Sequence, residues 1–249
     1  MSLWGRRVAD GDRLEVAGCA VRLRVNGRAR RISLRIDRAR REVVASAPSL
    51  HRLSEAADFA KSRAAWIAAR MAELPQPSTL APGQVIEVFG QPVRLASAEG
   101  RARWIAASAD QPTEIRAMGE GEGFARAVKL LIRKQALNMF EARSAHYAGR
   151  LGAATPKVAV TDTTSRWGSC TPARPGGAGS IRYSWRLALA PFAVADYVAA
   201  HECAHLLEAN HGPKFWAHVR ALVGDERPHR AWLRAHGAAL HAFGAQQGL

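Results

Sequence analysis

The sequence predicts an α+β fold: a β-rich lobe with one helix over residues 1–120, then a helix-dominated domain over 121–249. Three observations carry this. Apolar and polar residues alternate through residues 14–47 and 85–116, the period of half-buried strands. A 3.6-residue apolar period then runs through 124–150 and returns at 192–205. Between the two regimes lie Gly119, Gly121 and Gly123 with Glu120 and Glu122, a stretch that buries nothing and marks a boundary.

In the first lobe Val21, Leu23 and Val25 alternate with Arg22 and Arg24, and Ile32, Leu34 and Ile36 alternate with Ser33 and Arg35. Asn26-Gly27 between them is a two-residue hairpin signal, because both residues tolerate positive φ. The expectation is a hairpin with one apolar and one basic face, joined by a strand over 42–46 that Pro48 ends. Residues 54–73 put Ala57, Phe59, Ala60, Ala64, Ile67, Ala68 and Met71 at helical spacing, and Pro75-Gln76-Pro77 stops the helix. A second hairpin is expected over 85–95, turning at Gly90-Gln91-Pro92, with strands over 103–106 and 113–116. No ligand cluster, glycine-rich phosphate loop or internal repeat is read in this lobe.

The second domain opens with a long helix over 124–150, closed by Gly152. Strands are expected over 158–161 and 180–185, with a loop over 165–179 between them. A helix from Pro191 carries Phe192, Val194, Ala195, Val198 and Ala199 as an apolar stripe into His201. After Asn210-His211-Gly212, Pro213 suits the first turn of another helix, with Phe215, Trp216, Val219 and Leu222 inward and Gly224 at its end. A short helix with Trp232 and Leu233 completes the chain.

The chemistry concentrates at His201-Glu202-Cys203-Ala204-His205. Residues four apart lie above one another on a helix, so His201 and His205 can offer two imidazoles to one ion while Glu202 points aside. Zinc takes neutral imidazole nitrogens and in catalytic sites leaves a position for water. Two ligands are too few, and the turn at 210–213 returns the chain with His211 as the third. Glu202 then stands as the general base. The bland alternative is that two such histidines merely cap a polar face. Glu208, seven residues after His201, could orient a ligand histidine or stand in as third ligand. A sheet edge beside the metal would let an extended peptide add as a strand, with Arg166 and Trp167 lining that cleft. Arg166 could polarise a carbonyl or anchor its loop to a carboxylate. Candidates for an oxyanion donor are Tyr183, Tyr197, His218 and Arg166, and Tyr183 is carried with Arg166 and Trp167 as substrate-binding. Cys170 has no base nearby and reads as a packed thiol, and Cys203 should face the core.

Several of these stretches also resemble a known family. Ser165-Arg166-Trp167-Gly168-Ser169-Cys170, Tyr183-Ser184-Trp185-Arg186-Leu187, Asp196-Tyr197-Val198, the His201 to His205 motif and Asn210-His211 with Phe215-Trp216 are similar to the YgjP-like metallohydrolases. These are bacterial relatives of the SprT-type and WLM-type zinc peptidases. The likeness is dense over 157–216 and looser in the N-terminal half. It implies a zincin-like domain with one zinc ion held by His201, His205 and His211, and Glu202 as base.

The net charge of +15 sets the partner question, because arginine supplies 31 of 36 basic residues and pairs well with phosphate. Nine arginines against one acid fall between Arg22 and Arg41. A nucleotide or nucleic acid is therefore an expected partner of the N-terminal region, unless these arginines are simply solvated. Neither a membrane span nor a secretory signal is read, and three cysteines make no disulfide framework, so a cytoplasmic protein with no membrane partner is expected. Three functions compete: a metallopeptidase acting on peptide or protein, a metal-dependent phosphoanhydride or phosphoester hydrolase, and a basic nucleic-acid-associated protein with a zinc site.

Overall fold

Each alternating stretch forms its own four-stranded sheet in the computed structural model, which describes residues 8–37, 41–74, 80–109, 111–163, 166–173 and 177–243. The first sheet comprises β1 (Arg13–Val16), β2 (Cys19–Val25), β3 (Ser33–Asp37) and β4 (Glu42–Ala47), in the order β1-β2-β4-β3. Helices α1 (Leu53–Ser62) and α2 (Ala64–Ala72) follow, so the single expected helix is two, parted at Arg63. Val21, Leu23, Val43, Leu53, Ala60 and Ile67 are fully buried in the core these elements share.

The expected hairpin at Asn26-Gly27 does not form. β2 pairs with β4 in parallel, and β4 separates it from β3. Gly27 does not take positive φ; instead Asn26 Oδ1 accepts the Arg28 N–H at 3.2 Å and the Asn26 N–H reaches the Ala47 carbonyl at 2.9 Å. The asparagine thus redirects the chain through an Asx-type turn. The true hairpin joins β1 to β2 across Ala17 and Gly18, both at positive φ (50° and 72°).

The second sheet repeats the first. It contains β5 (Val85–Val88), β6 (Gln91–Ser97), β7 (Arg103–Ile105) and β8 (Glu114–Ala117), in the order β5-β6-β8-β7. Its pairings are antiparallel, parallel and antiparallel, as in the first sheet. Its hairpin turns on Phe89 and Gly90, at φ 53° and 75°. The N–H of Gly11 bonds the Leu23 carbonyl at 2.9 Å, and that of Gly83 bonds the Leu95 carbonyl at 2.8 Å. Over 11–23 and 83–95, seven of thirteen residues are identical, including both glycines and the Val-Arg-Leu triplet. This internal duplication, not read from the sequence, is short enough to hide among ordinary strand residues.

Helix α3 (Gly121–Arg150) begins within the glycine stretch expected to be a boundary. The compact units instead part between Pro77 and Ser78. The reason is packing: Leu95 and Ile115 of the second sheet share one core with Phe124, Ile132 and Phe140 of α3. A third sheet, ordered β10-β11-β9, contains β9 (Lys157–Thr161), β10 (Gly168–Thr171) and β11 (Ser180–Ser184). β9 is parallel to β11, β10 antiparallel to it, and β10 forms an edge. A 3₁₀ turn at Trp185–Leu189 leads to α4 (Phe192–Ala204), then α5 (Pro213–Val223) and α6 (Arg227–Ala242).

Before its last turn helix α4 is apolar except at Asp196 and Tyr197, and nine of its thirteen residues are buried, as befits a helix packed on most sides. α3 lies along it, and Arg143 of α3 clamps Asp196 with Nε–Oδ1 at 2.5 Å while the Tyr147 hydroxyl donates to Asp196 Oδ2 at 2.8 Å. The second sheet's hairpin meets its entry, where the Phe89 N–H bonds the Ala188 carbonyl at 2.6 Å and the Phe89 ring meets Phe192 edge-on. No helix among the described residues is long and apolar enough to cross a membrane. The Phe140 ring, fully buried, stacks on Tyr183 with centroids 4.0 Å apart. Phe140→Ala is therefore expected to cost about 3–5 kcal/mol of stability, read by chemical denaturation, with no change in metal content of the folded fraction.

Candidate metal centre

His201 sits in the final turn of α4, and His205 is the residue that caps it. The helix ends there because the chain folds into successive turns: the Leu206 N–H reaches the Cys203 carbonyl, and the Leu207 and Glu208 N–H groups reach Ala204. His211 comes back just before Pro213 opens α5. One potential ligand atom from each of His201, His205 and His211 lies within 4.8 Å of the others. His201 Nε2 and His211 Nε2 face each other at 3.1 Å. Nitrogens sharing one tetrahedral ion at 2.0–2.1 Å stand about 3.3 Å apart. The donor set therefore suits a borderline cation such as zinc.

The surroundings favour the neutral form of His201 and His211. Phe215 of α5, fully buried, lies beneath all three, its centroid 4.9, 4.5 and 4.6 Å from those of His201, His205 and His211. Burial, with the neighbouring His205 and His211, drives the His201 pKa down to about 3. Burial lowers that of His211 as well. Their far nitrogens are oriented from behind. His205 Nδ1–H donates to the Glu208 carbonyl at 2.9 Å, which leaves Nε2 with its lone pair. The Tyr197 hydroxyl lies 3.4 Å from His201 Nδ1.

Glu202 is 6 % exposed, and burial pushes its carboxyl up to about 7, against a smaller downward pull from Arg166. It lies against the backbone of β10. A Cβ on Gly168 would stand 2.5 Å from Glu202 Oε1 and 2.6 Å from Cδ, so only glycine leaves room for the carboxylate there. Arg166, Gly168, Ser169, Cys170, Glu202 and the three histidines are among the residues lining one cleft of about 330 Å³.

The other expected residues divide. Arg166 lines the cleft, forms no ion pair with a carboxylate among the described residues, and acts on Glu202 only at longer range. Trp167 turns the other way: its indole stacks on His241 at 4.2 Å and covers Gly237 of α6, so it braces the root of β10 rather than the cleft. Tyr183 is fully buried, stacked on Phe140 with its hydroxyl 2.9 Å from Ser144 Oγ, and cannot meet substrate. Of the four oxyanion candidates, Arg166 alone lines the cleft. Glu208 was expected on the helix face of His201, but α4 stops at Ala204, and its carbonyl rather than its carboxylate serves His205. The Cys170 thiol, raised to about 12 by burial and by Glu202, stays protonated, and Cys203 is buried. Gly168 and Tyr197's place behind His201 were missed. No periodicity signals either, because both depend on which element packs against which.

A protein-family model described as "YgjP-like, metallopeptidase domain" matches residues 30–236. No curated protein and no solved structure matches the chain.

Two outcomes are expected from this geometry. Gly168→Ala must displace the Glu202 carboxylate and should lower any metal-dependent turnover by at least about 100-fold while the bound-metal stoichiometry holds. In the metal-free protein, the Glu202 carboxyl ionises near 7 when folded but near 4.5 when unfolded. The unfolded chain thus loses its proton first, and stability falls as pH rises through that window. Glu202→Gln should therefore stabilise the metal-free protein above pH 7, by up to about 3 kcal/mol, and make little difference below pH 4.5. Equal denaturation midpoints for the two proteins at pH 8 would contradict this.

Proposed function

Given that this chain belongs to the YgjP-like metallopeptidase-domain family, we propose that it is a zinc-dependent peptidase with His201, His205 and His211 as ligands and Glu202 as general base. The observation that carries the reading is the gathering of three histidine donor atoms within 4.8 Å, with a buried carboxyl beside them in one cleft. When bound, a zinc ion there supplies Lewis acidity towards water and the scissile carbonyl.

The chain's own residues supply the rest. Glu202 takes a proton from the attacking water and returns it to the leaving nitrogen; a carboxyl with a pKa near 7 is suited to both transfers. Arg166, exposed and unpaired among the described residues, offers its guanidinium to the carbonyl oxygen as charge develops. β10 bonds β11 on one side only, so an extended peptide can lie along its other edge as an added strand. Backbone bonds of that kind hold a substrate without reading its side chains, which suits a peptidase of broad sequence tolerance.

The test is hydrolysis of an unfolded protein by zinc-loaded chain. Chelation should abolish it and zinc restore it. Glu202→Gln should retain one equivalent of metal and lose about 100- to 10,000-fold in kcat. Full activity in that variant, or stoichiometric zinc in a His211→Ala variant, would overturn the assignment.

A further inference from the structure

We propose that the face of the first sheet turned away from α1 binds nucleic acid through its phosphate backbone. The inference is independent of the peptidase reading. That face carries Arg22 and Arg24 of β2, Arg35 of β3 and Ser46 of β4, and with Asn26 they line a cavity of about 310 Å³. Arg24 and Arg35 are exposed, as are Arg28, Arg30 and Arg31 in the loop that follows β2. None of these five forms an ion pair with a described carboxylate. Glu42, on the same face, is held by Arg22 at 2.7 Å and approached by Arg13 at 3.7 Å, and Glu15 and Asp37 also lie on that face, but none of the three pairs with these five arginines.

The duplicated sheet supplies an internal comparison. Arg22 and Arg35 both face Val44 across the first sheet, and Arg94 and Ile105 both face Glu114 across the second. Position for position, Val44 corresponds to Glu114, Arg35 to Ile105 and Arg24 to Ala96. Conversely Ser46 corresponds to Arg116 and Ser33 to Arg103, so the second face has arginines too, but there Glu114 draws in Arg116 at 2.5 Å and Arg94 at 3.7 Å. What differs is the number left without an ion pair among the described residues: Arg24, Arg28, Arg30, Arg31 and Arg35 in the first copy, against Arg101 and Arg103 in the second.

The occupant follows from the donors. Residues two apart on a strand stand roughly 6.8 Å apart, and β2 and β3, with β4 between them, roughly 9.6 Å apart, so the strands space out forked donors that can reach successive phosphates. The described part of that face presents no aromatic ring for bases to stack on. Binding is therefore to the backbone, with little sequence preference.

The experiment is fluorescence anisotropy of the full chain with labelled duplex DNA and single-stranded RNA across a salt series. Log affinity should fall steeply with log salt, by about 0.9 per phosphate contacted on duplex DNA. The Arg24→Glu/Arg35→Glu variant should weaken binding at least about tenfold and flatten the slope by about 2. Arg101→Glu/Arg234→Glu makes the same charge change at exposed sites outside this sheet and should cost less than about twofold. If the first variant loses its circular dichroism, Arg24→Gln/Arg35→Gln decides, with the same direction expected. Equal losses from both double variants, salt-independent binding, or tighter binding to heparin than to either nucleic acid would overturn the proposal.

Discussion

The Nε2 atoms of His201 and His211 face each other 3.1 Å apart. One neutral ring can donate its Nε2–H to the lone pair of the other, or both lone pairs can face a cation, whereas a charged ring is disfavoured because burial takes the His201 pKa to about 3. The surrounding architecture maintains the arrangement. Phe215 keeps water from beneath the rings, the Glu208 carbonyl fixes the tautomer of His205, and the Tyr197 hydroxyl lies behind His201. An apolar α4, clamped to α3 through Asp196, keeps the turn that returns His211 in register with the helix that presents the other two.

The gathering of three histidines beside a carboxyl was legible because it depends on local rules: helical spacing for His201 and His205, and turn punctuation at Asn210-His211-Gly212-Pro213 for the third ring. The helices were legible for the same reason. The strand pairings were not. Asn26-Gly27 has the composition of a hairpin turn, yet β4 inserts between the strands it joins, and nothing local records that insertion. β10 escaped notice because Gly168-Ser169-Cys170-Thr171 has no alternating apolar face. Tyr183 was misplaced because an aromatic beside a motif reads equally as cleft wall or as core.

The duplicated sheets show how one backbone plan takes two roles. Both copies keep the glycine turn and the Val-Arg-Leu triplet that set the hairpin, and both bury the triplet's Val and Leu. The second copy sends its hairpin against Ala188 and Phe192, and so supports the entry of the helix that carries the histidines. The corresponding turn of the first copy, Ala17-Gly18, is exposed. What differs between them is the outer face, where among other changes one register position holds Val44 in one copy and Glu114 in the other.

The contact between Gly168 and Glu202 joins two requirements of peptide hydrolysis that are usually considered apart. A base must reach the water, and a strand must hold the substrate backbone in register. Here the Glu202 carboxylate, the proposed base, lies where the side chain of a strand residue would otherwise be, so its distance from the strand is set by van der Waals contact rather than by a flexible loop. A peptide registered on β10 would thereby be registered relative to Glu202 in the same step. Trp167, one residue earlier, secures the arrangement from the opposite side by stacking on His241 and filling the space over Gly237. Strand, base and C-terminal helix therefore form one packed unit. A change that loosened α6 would shift β10 and the carboxylate with it, although no residue of α6 lines the cleft among the described residues.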